Sequence, residues 1–320
     1  MTSARRFRRS RVLNSVSTLL ACVLAATSPV AAQEPVRVPG TRVSVVVPPG
    51  FEPAVQFPGF RHVDTGSSIV ITELPAPFAT VRAGMTEEAI ASRGMTLLSS
   101  EDARIASHEG LLMSATQQAD GATYRSWLGM FGTAGATVLV VAAYPEAMAA
   151  TLAEVLKRAV LSARWNDGDV IDASEGLRFR LRESATLKIA ARVSDMLLLT
   201  KGGAPGPVAP PDPLLVVGAS MTDVPIDDVE AFARSRLLQT ARVREIGDVT
   251  GRAVTAGGTP GYELVATARD ADSGSPLVLY QVVAVKGRSY YLVQGIVGAA
   301  AADQFLPEFR EVVGSLSFVE

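Results

Sequence analysis

Cysteine and histidine are nearly missing from this sequence. Its 320 residues include one cysteine, Cys22, and two histidines, His62 and His108. Cys22 falls in an N-terminal targeting segment, so we expect the mature chain to have no disulfide, thiolate nucleophile or cysteine metal ligand. A metal site needs at least three converging ligands, and no cluster of His, Asp and Glu with ligand spacing surrounds either histidine. We interpret both histidines as loop residues, and the Asp-x-Asp-x-Gly run at 270–274 as a hairpin turn.

Motifs for catalysis and phosphate binding are also missing. There is no Gly-x-Ser-x-Gly elbow to hold a serine nucleophile. The glycine-rich run 257–261 leads into a strand pattern and has no following lysine, which a phosphate cradle requires. The acidic pairs Glu87-Glu88 and Asp227-Asp228 stand at helix starts, where negative charge offsets the helix dipole. We therefore predict a protein that is not an enzyme and has no catalytic, cofactor-binding or metal-binding residue.

Long apolar runs are the third absence. After residue 35 no run reaches the ~20 apolar residues that a membrane span needs, so we predict no transmembrane segment in the mature chain. Residues 1–32 combine five arginines, a mostly apolar stretch and small residues before Gln33, the layout of a secretory signal peptide. We predict cleavage near Ala32 and a periplasmic or secreted protein. A lipoprotein anchored through Cys22 is a minor alternative, and the choice between Sec, Tat and lipoprotein signals stays open.

Acidic residues outnumber basic residues once the signal peptide is removed. The remaining chain has 25 basic and 32 acidic residues, a formal net charge of −7. Such a chain has no electrostatic driving force for nucleic acid or anionic lipid. We predict neither as a partner.

The chain repeats itself. Residues 110–116 align without gaps to 261–267 at an offset of 151 residues, and apolar positions of 152–162 align to 305–315 at an offset of 153. A register kept from a strand pattern to a helix pattern indicates a duplicated domain. We predict a first repeat over 33–165, a linker over 166–175 and a second repeat over 176–320. The Gly- and Pro-rich run 202–213 falls inside the second repeat, so we interpret it as a long hairpin loop.

Both repeats show the same order of elements. One helix is predicted to begin at Thr86, its N-cap. Another is predicted to begin at Asp227, which forms a capping box with Glu230. Apolar periodicity predicts further helices over 148–161 and 303–313. The predicted strands are 42–47, 67–72, 104–106, 111–117, 124–131 and 138–143 in the first repeat, and 177–181, 196–200, 213–220, 262–269, 277–285 and 290–295 in the second. Short hairpin connections favour antiparallel pairing.

The tyrosines of the second repeat are the one ambiguous aromatic set. Tyr280, Tyr290 and Tyr291 fall on neighbouring strands, and the adjacent pair must face opposite sides of a sheet. With helices on both faces, we predict core positions for these rings. A surface patch for a peptide or sugar is the lesser alternative.

The second repeat resembles a known superfamily. The residues that carry the likeness are Gly261-Tyr262-Glu263-Leu264, Leu279-Tyr280-Gln281-Val282, Tyr290-Tyr291-Leu292-Val293 and the closing run from Phe309 to Leu316. They are similar to the PsbP-like superfamily of α/β/α sandwiches, which includes DcrB-like and LpqN-like bacterial envelope proteins. The first repeat departs from the pattern, with Leu111-Leu112 in place of the Tyr-Glu pair.

The resemblance implies a fold and a general role. The fold is of the α+β class: two tandem α/β/α sandwich domains, each a mainly antiparallel sheet flanked by helices. Members of the superfamily are mostly non-enzymatic binding or assembly factors. The expected function is therefore an envelope interaction or assembly factor whose partner is an unknown envelope protein. The alternative is a carrier of a small apolar ligand or lipid, held in a pocket between sheet and helix.

Overall fold

Two seven-stranded sheets, with antiparallel pairing between all neighbouring strands, form the two domains of the structure. The computed structural model describes residues 34–119, 121–206, 208–210 and 212–319. The expected signal peptide and Cys22 lie outside these residues. No helix in the described ranges is long and apolar enough to cross a membrane.

The elements are numbered along the chain. Those of the first domain are β1 Val36–Arg37, β2 Val43–Val45, β3 Glu52–Pro53, β4 Gly59–His62, β5 Ser67–Leu74, α1 Phe78–Ala83, α2 Glu87–Ala91, β6 Met95–Ile105, β7 His108–Ala119, β8 Ala122–Gly132, β9 Thr137–Pro145, α3 Ala149–Leu161 and β10 Arg164–Trp165. Those of the second domain are β11 Phe179–Arg180, β12 Leu187–Val193, β13 Met196–Lys201, β14 Leu214–Ala219, α4 Val229–Leu238, β15 Val243–Ala256, β16 Thr259–Asp270, β17 Pro276–Lys286, β18 Ser289–Gly298, α5 Ala302–Gly314 and β19 Ser317–Phe318. A single 3₁₀ turn precedes each of α3 and α5.

The two large sheets have the same strand order. The first runs β3-β4-β5-β9-β8-β7-β6 and the second β12-β13-β14-β18-β17-β16-β15, so every strand has a counterpart at the same place. Small sheets β1-β2-β10 and β11-β19 complete the domains. Residues 202–213 join β13 to its neighbour β14, which agrees with the hairpin loop expected there. The α+β class with two tandem domains, predicted from the sequence, is confirmed.

One long helix covers a face of each sheet. The buried residues of α3 are Leu152, Leu156, Ala159 and Val160. Those of α5 include Phe305, Phe309, Val312 and Val313. These are the apolar positions that the sequence alignment superimposed, because each helix buries a stripe with a 3.6-residue period. On the other face of the second sheet, α4 buries Ala233 and Leu237.

The glycines that begin the aligned strings have the same role in both domains. A Cβ at Gly110 would lie 2.6 Å from the Met130 carbonyl oxygen, and one at Gly261 would lie 2.6 Å from the Val283 carbonyl oxygen. Each of these oxygens belongs to the adjacent strand, β8 or β17. Since a neighbouring backbone cannot move aside as a flexible side chain can, the sheet requires glycine at both positions.

We expect Gly261→Ala to lower the free energy of unfolding by about 2 kcal/mol, because the new methyl group overpacks against the strand backbone. Gly314→Ala is the matched control in the same domain, since a Cβ there meets no atom within 4 Å. In helix α5 alanine is also the better helix former, so this control should unfold at the same or slightly higher denaturant. Urea unfolding of the two variants measures the difference. Equal midpoints would contradict the steric explanation.

The structure corrects several boundaries. Helix α4 begins after Asp228, not Asp227: the Asp228 carboxylate accepts a hydrogen bond from the Ala231 N–H at 3.0 Å. Glu230 pairs instead with Arg234 at 2.8 Å, so the capping box prediction was wrong. Thr86 does cap α2, through the Ala89 N–H. Helix α1, strands β12 and β15 and most of β6 were not predicted, because their sequences lack a clean helical or alternating apolar period.

Adjacent tyrosines face opposite sides of the second sheet, as predicted. The Tyr291 ring stacks on Phe318 at 3.8 Å in the core under α5, whereas the Tyr290 ring packs against Phe232 of α4 at 4.9 Å. Tyr280 is fully buried beside Phe309. The rings of Tyr280 and Tyr291 are therefore core residues, and Tyr290 is half-buried.

Candidate functional site

An apolar cleft lies between the first domain and the sheet of the second. Its volume is about 770 Å³. Its first-domain wall is the end of β5 and the residues that follow it, and its other walls are strands and the 202–213 loop of the second domain. The apolar residues lining it include Leu74, Pro75, Ala76, Ala190, Val193, Leu198, Val208, Ala209, Pro210, Leu214 and Ile296. We refer to this space as the apolar cleft.

The apolar cleft exists because α4 covers only part of its face of the sheet. Thr200, Leu214, Ile296 and Leu279 are successive cross-strand partners, so they share one face, and Leu279 packs in the core under α4. Leu198, two residues before Thr200 on β13, points to the same side. Helix α4 packs on β16 and β17. The part of this face formed by β13 and β14 therefore extends beyond the helix and lines the cleft.

Charged residues stand at the rim of the apolar cleft. Asp212, Asp270 and Asp272 contribute three carboxylates, and Arg242 contributes one guanidinium. Arg242 pairs with Asp272 at 2.5 Å. Hydrogen bonds from the backbone N–H and hydroxyl of Ser273 lower the pKa of Asp270 and keep it ionised. The rim thus carries net negative charge.

A cross-domain clamp joins the first domain to the second through Glu175, the last residue of the predicted linker, whose carbonyl accepts a hydrogen bond from Arg192. The Arg37 guanidinium makes two hydrogen bonds to the Glu175 carboxylate, at 2.5 and 2.9 Å, and the Gly40 N–H donates to the same carboxylate at 3.0 Å. The hydrogen bond from Arg37 holds the pKa of Glu175 below its ordinary value. Gly40 has a φ of 72°, and a Cβ there would overlap the Arg192 guanidinium. Glycine therefore permits the close approach of the domains at this point.

Glu263 is a buried carboxylate that the sequence did not single out for chemistry. It accepts hydrogen bonds from Arg252 at 2.9 Å, Arg310 at 3.1 Å and the Tyr280 hydroxyl at 3.2 Å. Burial raises the pKa of Glu263, but the two arginines lower it by more, so the net shift is downward. Because its partners surround it, Glu263 ties β15, β16, β17 and α5 together and presents no free carboxylate to a substrate.

The histidines and acidic pairs lie apart from the apolar cleft. His62 and His108 stand at the ends of β4 and β7 and not in loops, so the prediction of loop positions was wrong. Each ring packs on an aromatic residue, His62 on Phe51 at 5.3 Å and His108 on Trp165 at 5.4 Å. Glu87 and Glu88 occupy the first turn of α2. Within the ranges that the structure describes, no three His, Cys, Asp or Glu residues are placed to hold a metal ion.

Comparison with known proteins returns structures but no sequence family. No protein-family model matches the chain, and no curated protein matches it. Among solved structures, LpqN of Mycobacterium tuberculosis, described as involved in cell envelope biogenesis, matches with a TM-score of 0.32 and 12% identity over 44% of this chain and 83% of LpqN. The PsbP of the cyanobacterium Synechocystis matches with a TM-score of 0.27 and 12% identity over 44% of this chain and 82% of that protein. The chain is similar to PsbP-like and LpqN-like structures.

A third match extends over both domains. The T6SS immunity protein TplEi of Pseudomonas aeruginosa has a TM-score of 0.29 and 14% identity, over 87% of this chain and 95% of TplEi. Of the groups named from the sequence resemblance, PsbP and LpqN are thus among the matches. At these TM-scores and identities, the matches transfer no activity, ligand or partner to this chain.

Proposed function

We propose that the chain is a non-enzymatic binding protein of the bacterial cell envelope, periplasmic or secreted after cleavage near Ala32, and that it acts as an interaction or assembly factor. The observation that carries the proposal is the apolar cleft. Its walls come from both domains, which we take to span 33–165 and 176–320 on either side of a linker over 166–175. Binding in this cleft therefore uses a surface that neither domain has alone.

The lining of the apolar cleft favours an apolar occupant. Fully burying an exposed leucine-sized side chain contributes about 1.5–3 kcal/mol. Leu198, Leu214 and Ile296 are already half-buried, so each offers a covering partner a part of that gain. The rim carboxylates favour positive charge beside that apolar group. The occupant that fits both features is an apolar segment of an envelope protein, flanked by basic residues.

The volume of the apolar cleft also supports the second candidate, a carrier of a small apolar ligand or lipid. Pockets for drug-sized ligands have volumes of roughly 300–1,000 Å³, and that of the cleft is about 770 Å³. The ligand would then lie between a sheet and the neighbouring domain. The expected place between sheet and helix is filled by the cores under α4 and α5.

Photo-crosslinking in the source cell tests the first candidate. A photoreactive amino acid at Ala209, in the loop beside the cleft, is expected to capture a discrete protein. Adding Leu198→Glu should lower the yield about ten-fold or more, because the partner would have to bury an unpaired charge. Leu238→Glu is the matched control, since Leu238 is 68% exposed on α4 and does not line the cleft. It should leave the yield unchanged.

Native mass spectrometry of the purified protein distinguishes the two candidates. A stoichiometric co-purifying apolar molecule, lost in Leu198→Glu but kept in Leu238→Glu, would establish the carrier and reject the protein partner. If Leu198→Glu and Leu238→Glu crosslink a protein with equal yield, the apolar cleft is not its binding surface. Thermal unfolding of each variant verifies that it is folded.

A further inference from the structure

A second cavity between the domains is lined by arginines. Its volume is about 260 Å³, and Arg178, Arg180 and Arg192 of the second domain line it. The opposite wall is apolar and belongs to the first domain, with Val55, Phe57 and Pro58. No Asp or Glu is among the described residues that line this cavity. We refer to it as the arginine cavity.

The hydrogen bonds of Arg180 and Arg192 go to carbonyl oxygens, and the carboxylates of Asp195, Glu175 and Asp172 interact with Arg192 only electrostatically. Arg180 donates to the carbonyl oxygens of Leu177 and Phe179, and Arg192 donates to the carbonyls of Ser194, Ala173 and Glu175. Carbonyl oxygens satisfy N–H groups but carry no full negative charge. Since Arg178 and Arg192 are partly buried and no carboxylate lines the cavity among the described residues, the positive charge there favours an added anion.

Arg178 has the strongest need of a further partner. It donates one hydrogen bond to the Ser220 carbonyl. It donates another to the Ser289 hydroxyl oxygen, at a distance of 3.2 Å. Its Nε is buried and has no hydrogen-bond partner among the described residues. The carboxylate of Asp195 forms a long ion pair with Arg178, 3.8 Å from its Nη2 and beyond hydrogen-bond distance. Among the described residues, no carboxylate therefore accepts a hydrogen bond from this guanidinium.

We propose that the arginine cavity binds a small organic oxyanion, a carboxylate or a phosphate monoester. Guanidinium groups bind both through paired N–H···O hydrogen bonds, which suits three arginines around one space. The volume is smaller than that of a drug-sized pocket, so the ligand is small. Its apolar part contacts Val55, Phe57 and Pro58. The bound anion links the two domains, because its charged group contacts the arginines of the second domain and its apolar part contacts the first domain.

Calorimetric titration of the full mature chain tests this site with two probes, phenyl phosphate and phenylacetate. We expect saturable binding of at least one, accompanied by a rise in melting temperature that sodium chloride at equal ionic strength does not produce. Whichever probe binds more tightly identifies the phosphate or the carboxylate as the preferred group. Absence of saturable binding by both at millimolar concentration would overturn the proposal.

Paired substitutions locate the binding. Arg180→Gln should weaken affinity about ten-fold or more, the loss expected for a charge-assisted hydrogen bond. The same change at Arg93, an exposed arginine of the first domain outside the cavity, should leave affinity unchanged. Arg180 is itself exposed, so the variant should fold. Equal affinity in Arg180→Gln and Arg93→Gln would show that the anion binds elsewhere and reject the site, whatever the apolar cleft binds.

Discussion

Phe309→Ala is expected to lower the free energy of unfolding of the second domain by about 4 kcal/mol, the typical cost of removing a buried phenyl ring. Phe309 is 0% exposed on α5 and packs against Tyr280, with ring centroids 5.6 Å apart. A Cβ at Gly295 would lie 2.7 Å from the Phe309 ring, so the ring lies directly on the sheet. Alanine would leave a cavity that this rigid sheet cannot close.

Two spectroscopic probes can assign the loss to a domain. The sequence has two tryptophans, Trp127 and Trp165, and both lie in the first domain, on β8 and β10. Tryptophan fluorescence therefore follows the first domain, whereas far-UV circular dichroism follows both. In Phe309→Ala the dichroism midpoint in urea should fall much more than the fluorescence midpoint. Leu156→Ala, at the aligned and equally buried position of α3, is the matched variant and should lower the fluorescence midpoint. Identical shifts in both probes would mean that the domains unfold as one unit.

Asp195→Asn is expected to change how stability depends on pH. Asp195 is 3% exposed in the turn between β12 and β13, and the charged groups that face it are Arg178, Arg192 and the ionisable Tyr291. Burial raises the pKa of Asp195 to about 6 from an ordinary value of 3.8, and the two arginines only partly oppose this shift. The folded protein thus keeps a proton that the unfolded chain has released between these pH values. The contribution of Asp195 to the free energy of unfolding is therefore fully present below pH 3.8 and is lost as the pH rises to about 6.

The expected size of this loss is about 3 kcal/mol, since each unit of pKa corresponds to about 1.4 kcal/mol. Other carboxylates, such as Glu263, have lowered pKa values and act in the opposite direction, but they are present in both proteins. The difference in unfolding free energy between Asp195→Asn and the parent should therefore grow by about 2 kcal/mol from pH 4 to pH 7, because part of the loss occurs below pH 4. Asp64→Asn, at an exposed position, is the control and should show no such growth. A flat difference for Asp195→Asn would refute the raised pKa.

The sequence predicts the scaffold well, and the reason is visible in particular residues. Gly110 and Gly261 recur because two neighbouring strands leave no space for a side chain. Leu156 and Phe309 recur because both long helices bury the same stripe. Such positions follow from local periodicity and close packing, and both can be recognised in a short stretch of sequence. The antiparallel pairing of neighbouring strands followed from the short turns between them.

Neither space between the domains could be predicted in the same way. Leu74 and Ile296 line one cleft although more than 200 residues of sequence separate them, and nothing in either local pattern refers to the other. No local pattern marks Arg178 or Arg192 as residues that line a cavity, because burial against the other domain is a property of the assembled fold. Loop 202–213 was recognised as a loop, but its apolar residues gave no sign that they would line a cleft.

The clamp between the domains means that the two copies are no longer interchangeable. Strand β1 carries Arg37 to Glu175, and the described part of the second domain has no strand at the corresponding place beside β11. The interface is therefore asymmetric, although the two large sheets have the same strand order. Duplication has copied the fold without copying the surface through which the copies meet.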